Sequence, residues 1–232
     1  MKYLIALLLG VATGVCVLAA VLYFNPFADP ERVSPLAVTE SNLMGLSFSV
    51  VPSESLVTTN DGDSIVEMHP DRVQQLWEQT VRKSQAMVTI LTDRLGEPIG
   101  IGVKISSISE DTRITNSEIL VDSVWQVYLP GRGSFFVDQT ENYWSYIHDI
   151  VIPARWSSSN SWRGNWRNVM TVGPNALGTA RVTGASGEFA GLKTEAAEAL
   201  VAKAFSIDGG PVAITGSLTV ALPATTATEE AQ

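Results

Sequence analysis

Residues 182–192 read VTGASGEFAGL, and residues 209–220, further along the chain, read GGPVAITGSLTV. The first stretch holds three regularly placed glycines and one aromatic residue: Gly184, Gly187, Gly191 and Phe189. Glycine permits positive φ and close approach of two backbones, so this composition is typical of a tight corner between strands. In the second stretch apolar residues alternate with small polar ones, which predicts a strand with one apolar face.

Short runs with β character also occur upstream, and turn signals separate them at 95–98, 130–133, 172–175 and 208–210. The predicted strands are 43–51, 87–92, 99–109, 118–129, 134–138, 166–172, 177–183 and 212–222. In the run 118–129 both faces carry bulky side chains, so few of its positions are fully solvated. Many short strands at this spacing indicate a sandwich or a barrel.

Two segments depart from the strand pattern. Residues 70–83 begin with proline and place apolar residues near one face, which predicts a helix. Residues 194–204 are rich in alanine and glutamate, which favours a helix, whereas Phe205 and Ile207 alternate as in a strand. The pattern leaves both structures open for residues 194–207.

The glycine-rich stretch resembles the C-terminal hairpins of the allene oxide cyclase and dirigent superfamily. In that family a V-T-G-G-[ST]-G-x-F-x-G-A element joins two strands of an eight-stranded antiparallel barrel. Gly184, Gly187 and Gly191 match its glycines, and Phe189 matches its aromatic residue, whereas Ala185 stands where the family usually has glycine. The matched residues lie within about a fifth of the chain.

The resemblance implies a mainly β fold, an antiparallel eight-stranded barrel with one or two short helices. It also implies an interior that holds small apolar or phenolic molecules and steers cyclisation or radical coupling by shape. The catalytic carboxylates of the plant enzymes have no matching positions here, so we assign no catalytic residue. The glycine corner is a structural motif.

The N-terminal residues 3–24 are apolar or small and carry no charge, which is enough for a helix to cross the roughly 30 Å hydrocarbon core of a bilayer. A cleaved signal peptide has a shorter apolar region and a small-x-small cleavage site, whereas this run ends in Leu22, Tyr23 and Phe24. Val15 before Cys16 argues against a lipoprotein site. We therefore interpret residues 1–24 as an uncleaved transmembrane signal anchor whose partner is the lipid bilayer.

Charge near the anchor predicts its orientation. Lys2 and the amino terminus precede the apolar run, and acidic residues follow it, so the C-terminal domain is expected outside the cytoplasm, on the periplasmic side of an inner or plasma membrane. The remaining predicted regions are a proline-rich spacer at 25–37, the barrel domain at 38–223 and a disordered tail at 224–232.

Composition excludes several classes of partner and site. The chain holds 24 acidic residues against 15 Lys and Arg, so nucleic acid and anionic lipid surfaces are poor partners. Cys16 is the only cysteine, so the domain has neither disulfides nor a thiolate metal site and depends on its core for stability.

The segment 141–167 is rich in tryptophan, tyrosine and arginine. Such residues can stack on a ligand, form a protein interface, lie at the level of lipid headgroups, or simply fill the barrel and pair with acids at its rim. The residues predicted to bind a ligand or partner are Tyr143, Trp144, Arg155, Trp156, Trp162, Arg163, Trp166 and Arg167.

Other chemistry-bearing residues give weak signals. His148 and Asp149 are adjacent, which invites an acid–base role, although a structural histidine is the more common case. His69 and His148 lie far apart with no metal-binding spacing, so we expect no metal and no cofactor. No nucleophile elbow, zinc motif, P-loop or dinucleotide fingerprint occurs.

These observations favour a membrane-anchored, non-catalytic barrel that binds a small apolar or aromatic molecule or a partner protein. Two alternatives remain: an accessory subunit of a larger membrane complex, and a cyclase or isomerase acting in the barrel. A closed, packed interior would favour the subunit, and a cavity with a buried ionisable group would favour the enzyme.

Overall fold

The computed structural model describes residues 2–23, 42–51, 56–59, 73–75 and 84–223. One apolar helix, α1 (Lys2–Tyr23), precedes a mainly β domain. A second helical segment, the end helix (residues 144–156), consists of one continuous run of α, π and α turns. The strands are β1 (Asn42–Ser49), β2 (Leu56–Thr59), β3 (Val73–Gln75), β4 (Ser84–Thr92), β5 (Pro98–Ile108), β6 (Leu120–Leu129), β7 (Gly133–Asn142), β8 (Ser161–Val169), β9 (Thr171–Gly173), β10 (Ala180–Gly187), β11 (Lys193–Ser206) and β12 (Gly210–Leu222).

Eight of these strands form a ring, which confirms the prediction of an eight-stranded antiparallel barrel. Their order is β1-β12-β11-β10-β7-β6-β5-β4, and β1 pairs with β4 through Ser47 and Thr92 to close it. The parallel pair β2 and β3 extends from the edge of β4. Side chains alternate between the interior and the outside along each strand of the ring, as the strand period requires.

The ring is widened on one side. β11 is long, and β10 pairs only with its first residues, whereas β8 pairs with the part that follows. β9 pairs in the same way with the end of β7. Met170 connects β8 and β9 and is hydrogen-bonded to both neighbours, through the backbones of Asn142 and Glu198. β8 and β9 therefore continue the wall where β10 is absent.

The two segments that departed from the strand pattern are both strands where the structure describes them. Residues 193–206 form β11 between two antiparallel neighbours, so sheet pairing overrides the helix propensity of their alanines. The predicted helix at 70–83 is wrong for residues 73–75, whose backbone pairs in parallel with β2. The rest of that segment lies outside the described residues, as do the predicted spacer and tail.

One end of the barrel, the closed end, holds the turns at 93–97, 130–132 and 188–192. Gly187 adopts φ +63°, and a Cβ on Gly184 would overlap the carbonyl oxygen of Phe189. Phe189 is buried and packs edge to face on Phe135, with 5.1 Å between ring centroids. The glycine corner thus fills this end of the barrel with backbone atoms and aromatic rings.

The opposite end, the open end, is where β7 runs into the end helix. Ile150 and Ala154 of this helix are buried in the main core. α1 is separate from that core: it is long and apolar enough to span a membrane, and its described side chains are exposed.

Candidate functional site

Four strands direct polar side chains into the half of the barrel near the open end. Lys104 on β5 shares the inward face with Gly102, and Glu198 on β11 lies between the inward-facing Ala196 and Leu200. β6 and β7 contribute the buried side chains Ser123, Trp125, Gln139 and Glu141. Strand alternation thus places charged groups where an ordinary barrel has apolar ones.

Lys104 lies between two carboxylates. Its Nζ is 2.7 Å from Oε1 of Glu141, and 2.8 and 2.9 Å from Oε1 and Oε2 of Glu198. The exposed fractions of the three side chains are 7 %, 0 % and 1 %. The group, which we call the ion cluster, therefore depends on its own members for charge compensation.

A shell of hydrogen bonds surrounds the ion cluster. Trp125 Nε1 and Gln139 Nε2 donate to Oε2 of Glu198. Gln139 accepts in turn from Thr171 Oγ1 at 2.8 Å, and Thr171 Oγ1 also accepts from the backbone N–H of Glu198. Every side-chain nitrogen and oxygen of the ion cluster and this shell has a hydrogen-bond partner. The ion cluster is thus held rigidly in one arrangement.

The two glutamates differ in what contacts them. The side-chain donors to Glu198 are N–H groups, from Lys104, Trp125 and Gln139, and none of these groups can accept a hydrogen bond from a carboxyl O–H. Oε2 of Glu141 instead lies 2.8 Å from the hydroxyl of Ser123, which can donate or accept. Glu141 is therefore the member of the ion cluster that can carry a proton.

The electrostatics agree with this assignment. Burial raises the pKa of Glu141, the charge of Glu198 raises it further, Lys104 opposes both, and the pKa reaches about 7. For Lys104 burial lowers the pKa, but Glu141 and Glu198 outweigh it and hold the pKa above its usual range. The ammonium stays charged near neutral pH, so the net charge of the ion cluster is −1 or zero, depending on the proton of Glu141.

A cavity of about 150 Å³ adjoins the ion cluster and opens to solvent on one side. An engineered protein cavity of about this volume holds benzene, so the space suits one aromatic ring or a molecule of similar size. Lys104 and Glu198 form part of the wall, whereas Glu141 lies behind them. The remaining lining residues are Phe48, Val50, Gln85, Met87, Ser106, Tyr143, Tyr146, Leu200, Pro211 and Ile214.

Two tyrosines connect the cavity to the end helix. Tyr143 and Tyr146 pack edge to face with 5.9 Å between ring centroids. Among the described residues neither hydroxyl has a hydrogen-bond partner. Burial raises the pKa of both, and the charge of Glu141 adds to the effect on Tyr143. Both phenols therefore stay protonated and can donate a hydrogen bond to a bound molecule.

The residues predicted from the Trp/Arg segment do not gather at one place. Of them, Tyr143 lines the cavity. Trp166 is buried, with its Nε1 3.2 Å from both Ser145 Oγ and Asp149 Oδ2, and Trp162 packs against the main core. Trp144 is half-buried and stacks on His148, with 5.9 Å between ring centroids. The exposed members are Arg155, Trp156, Arg163 and Arg167.

His148 and Asp149 contact each other in spite of being neighbours in sequence. Nδ1 of His148 lies 2.7 Å from Oδ1 of Asp149, and Asp149 Oδ2 accepts from Ser145 at 2.8 Å. The serine contacts the carboxylate and not the imidazole, so the arrangement differs from a hydrolytic triad. His69 lies outside the described residues, and the described ones contain no cluster of three groups suited to a metal.

The ion cluster was missed by the sequence analysis. Lys104 is 37 residues from Glu141 and 94 from Glu198, so no local motif joins them. A signal was present nonetheless, because each charged residue occupies a position where the alternation of its strand requires an inward side chain. A charge at such a position needs a buried partner.

Comparison with known proteins gives little further identification. No family model and no curated protein matches the chain. A solved structure described as a nonspecific heme-binding cyclase that catalyses [4 + 2] cycloaddition during neoabyssomicin biosynthesis aligns with 82% of this chain and 72% of that chain, at 10% identity and a TM-score of 0.41. A likeness at this level bears on neither family nor function.

Proposed function

We propose that the domain binds a small, mainly apolar molecule in the cavity at the open end of the barrel, without catalysing a reaction. The observation that carries the proposal is a cavity about the size of one aromatic ring. Its wall combines apolar side chains with a few polar groups that have no hydrogen-bond partner among the described residues. The apolar wall includes Phe48, Met87 and Ile214, and the hydroxyls of Tyr143 and Tyr146 can orient a ligand.

The proposal includes α1 as a retained anchor, with the barrel on the extracytoplasmic side. The length and apolar character of α1 support it, as do Lys2 at the N-terminal end of the helix and the bulky residues at its C-terminal end. It also includes a distant relationship to the allene oxide cyclase and dirigent superfamily, supported by the glycine corner described above.

Native mass spectrometry of the full chain, extracted from its membrane in detergent, tests ligand binding. We expect a retained small molecule in the wild type. Val50→Trp should abolish it by filling the cavity, whereas Val212→Trp, which places the same ring on the exposed outer face of β12, should not. A wild-type spectrum showing only the bare chain, or an adduct that survives Val50→Trp, would contradict the proposal.

A second candidate function is an acid–base enzyme such as a cyclase or isomerase. One observation favours it: Glu141 can exchange a proton near neutral pH and contacts Lys104 at the cavity wall. Conversion of the retained molecule by the wild type, lost in Glu141→Gln, would support this candidate. We rank this enzymatic function below ligand binding because the members of the ion cluster hydrogen-bond to one another, which leaves none of them free to reach a substrate.

A further inference from the structure

The polar groups at the cavity wall fall into two classes. Lys104 directs its N–H groups to Glu141 and to both oxygens of Glu198, and Glu198 Oε2 accepts from Trp125 and Gln139 as well. These charged groups are committed to one another. Tyr143, Tyr146, Ser106 and the inward-facing Gln85 have no side-chain hydrogen bond to any described residue, and all four are neutral.

A charged ligand would find no unpaired counterion among the described residues of this cavity. A carboxylate would lose its hydration beside an ion cluster whose net charge is −1 or zero, and the only ammonium that the described residues place there is already bound between two glutamates. A cation would meet Lys104 at the wall and a Glu198 that already accepts from several donors. A neutral acceptor such as a carbonyl oxygen can instead receive hydrogen bonds from the tyrosine hydroxyls.

We propose that the cavity selects uncharged molecules of about one ring in size that carry a hydrogen-bond acceptor, and discriminates against their anionic and cationic counterparts. This inference rests on the proposed binding function and specifies its ligand class. The ion cluster acts as an electrostatic filter, and the two tyrosines orient the ligand.

A matched set of probes tests the inference. Benzamide, benzoate and benzylamine share one ring and differ in charge at pH 7.5, and their affinities for the full chain in detergent can be measured by isothermal titration calorimetry. The Val50→Trp variant in the same detergent corrects for partition into the micelle. We expect benzamide to bind tighter than either charged probe by roughly tenfold or more, because burial of an unpaired charge is costly.

The possible failures are distinct. Binding of benzoate or benzylamine as tight as that of benzamide would overturn the charge filter and leave the binding function in place. Absence of specific binding by all three probes would overturn the proposed function for ring-sized ligands, and the filter with it.

A substitution at Glu141, which lies behind the cavity wall, tests whether the ion cluster causes the preference for uncharged ligands. Glu141 is fully buried and outside the cavity, and the groups that face it are Lys104 on β5, Ser123 on β6, Glu198 on β11 and Tyr143 after β7. Glu141→Gln removes one negative charge when the carboxyl is ionised. The ratio of benzamide to benzoate affinity should therefore fall several-fold at pH 8 and stay at the wild-type value at pH 5.5. An unchanged ratio at pH 8 would overturn the role of the ion cluster.

Discussion

The two ends of the barrel are stabilised in different ways. At the closed end backbone packs against backbone: Gly184 lies against Phe189 of its own hairpin, and Gly187 lies against the neighbouring turn at Arg132. The open end is formed by Lys104, Glu141 and Glu198 from three strands, and it leaves a cavity. We therefore expect the closed end to be sensitive to added volume at Gly184 and Gly187, and the open end to be sensitive to unmatched charge.

The largest effect is expected from Gly184→Ala at the closed end. The added methyl group would overlap the carbonyl oxygen of Phe189, a backbone atom that cannot move without opening the hairpin. We expect the cooperative unfolding transition to disappear, which corresponds to a loss above about 5 kcal/mol. Gly45→Ala on β1 is the control, since its Cβ would lie 3.7 Å from Arg94 Nε, an ordinary contact. Urea unfolding of both variants checks this, and equal stabilities would contradict it.

At the open end the largest effect is expected from Lys104→Met. The substitution keeps much of the side-chain volume but leaves two buried carboxylates without their cation, which should lower the free energy of unfolding by about 3–5 kcal/mol. Neutralising all three members together, in Lys104→Met/Glu141→Gln/Glu198→Gln, should recover much of this loss. If denaturant titration shows the triple variant to be less stable than the single one, charge balance does not govern this end.

Stability should also depend on pH through Glu141. Its pKa is raised from 4.5 to about 7 in the folded state, so between these values the folded chain holds a proton that the unfolded chain releases. The stabilisation that the folded chain gains from this proton on Glu141 is fully present below about pH 4.5 and is lost as the pH rises through about 7. It amounts to about 3 kcal/mol at most. The difference in unfolding free energy between wild type and Glu141→Gln, measured from pH 5 to 8, reports it, and a difference that does not vary with pH would contradict it.

The smallest effect is expected from the ion pair at the closed end. Arg132 and Glu188 contact each other with nearly half of each side chain exposed, and such pairs contribute about 0–1 kcal/mol. Glu188→Gln should therefore shift the melting temperature only slightly, and less at high salt. A loss as large as that of Lys104→Met would show that the closed end also depends on charge, and the distinction between the ends would fail.

The Trp/Arg segment shows why composition alone does not reveal which residues line a cavity. Trp166 and Trp156 belong to the same run of sequence, yet one is buried and the other is 73% exposed. Aromatic density predicts contact but not its direction, because the end helix and β8 turn neighbouring residues toward different surroundings. Only Tyr143 of the predicted residues lines the cavity, and it does so because β7 ends next to it.

The apolar helix α1, the succession of short β-strands and the position of the glycine corner could be predicted from the sequence alone. These features depend on the polarity and backbone freedom of residues close together in the chain. Tertiary structure alone decided that residues 193–206 form a strand, because two flanking strands supply its hydrogen bonds. It also decided the ion cluster and its cavity, because these exist only where the ring brings β5, β7 and β11 to a common interior. The charge of each residue can be read from the sequence, but its partner is set by the register of the strands.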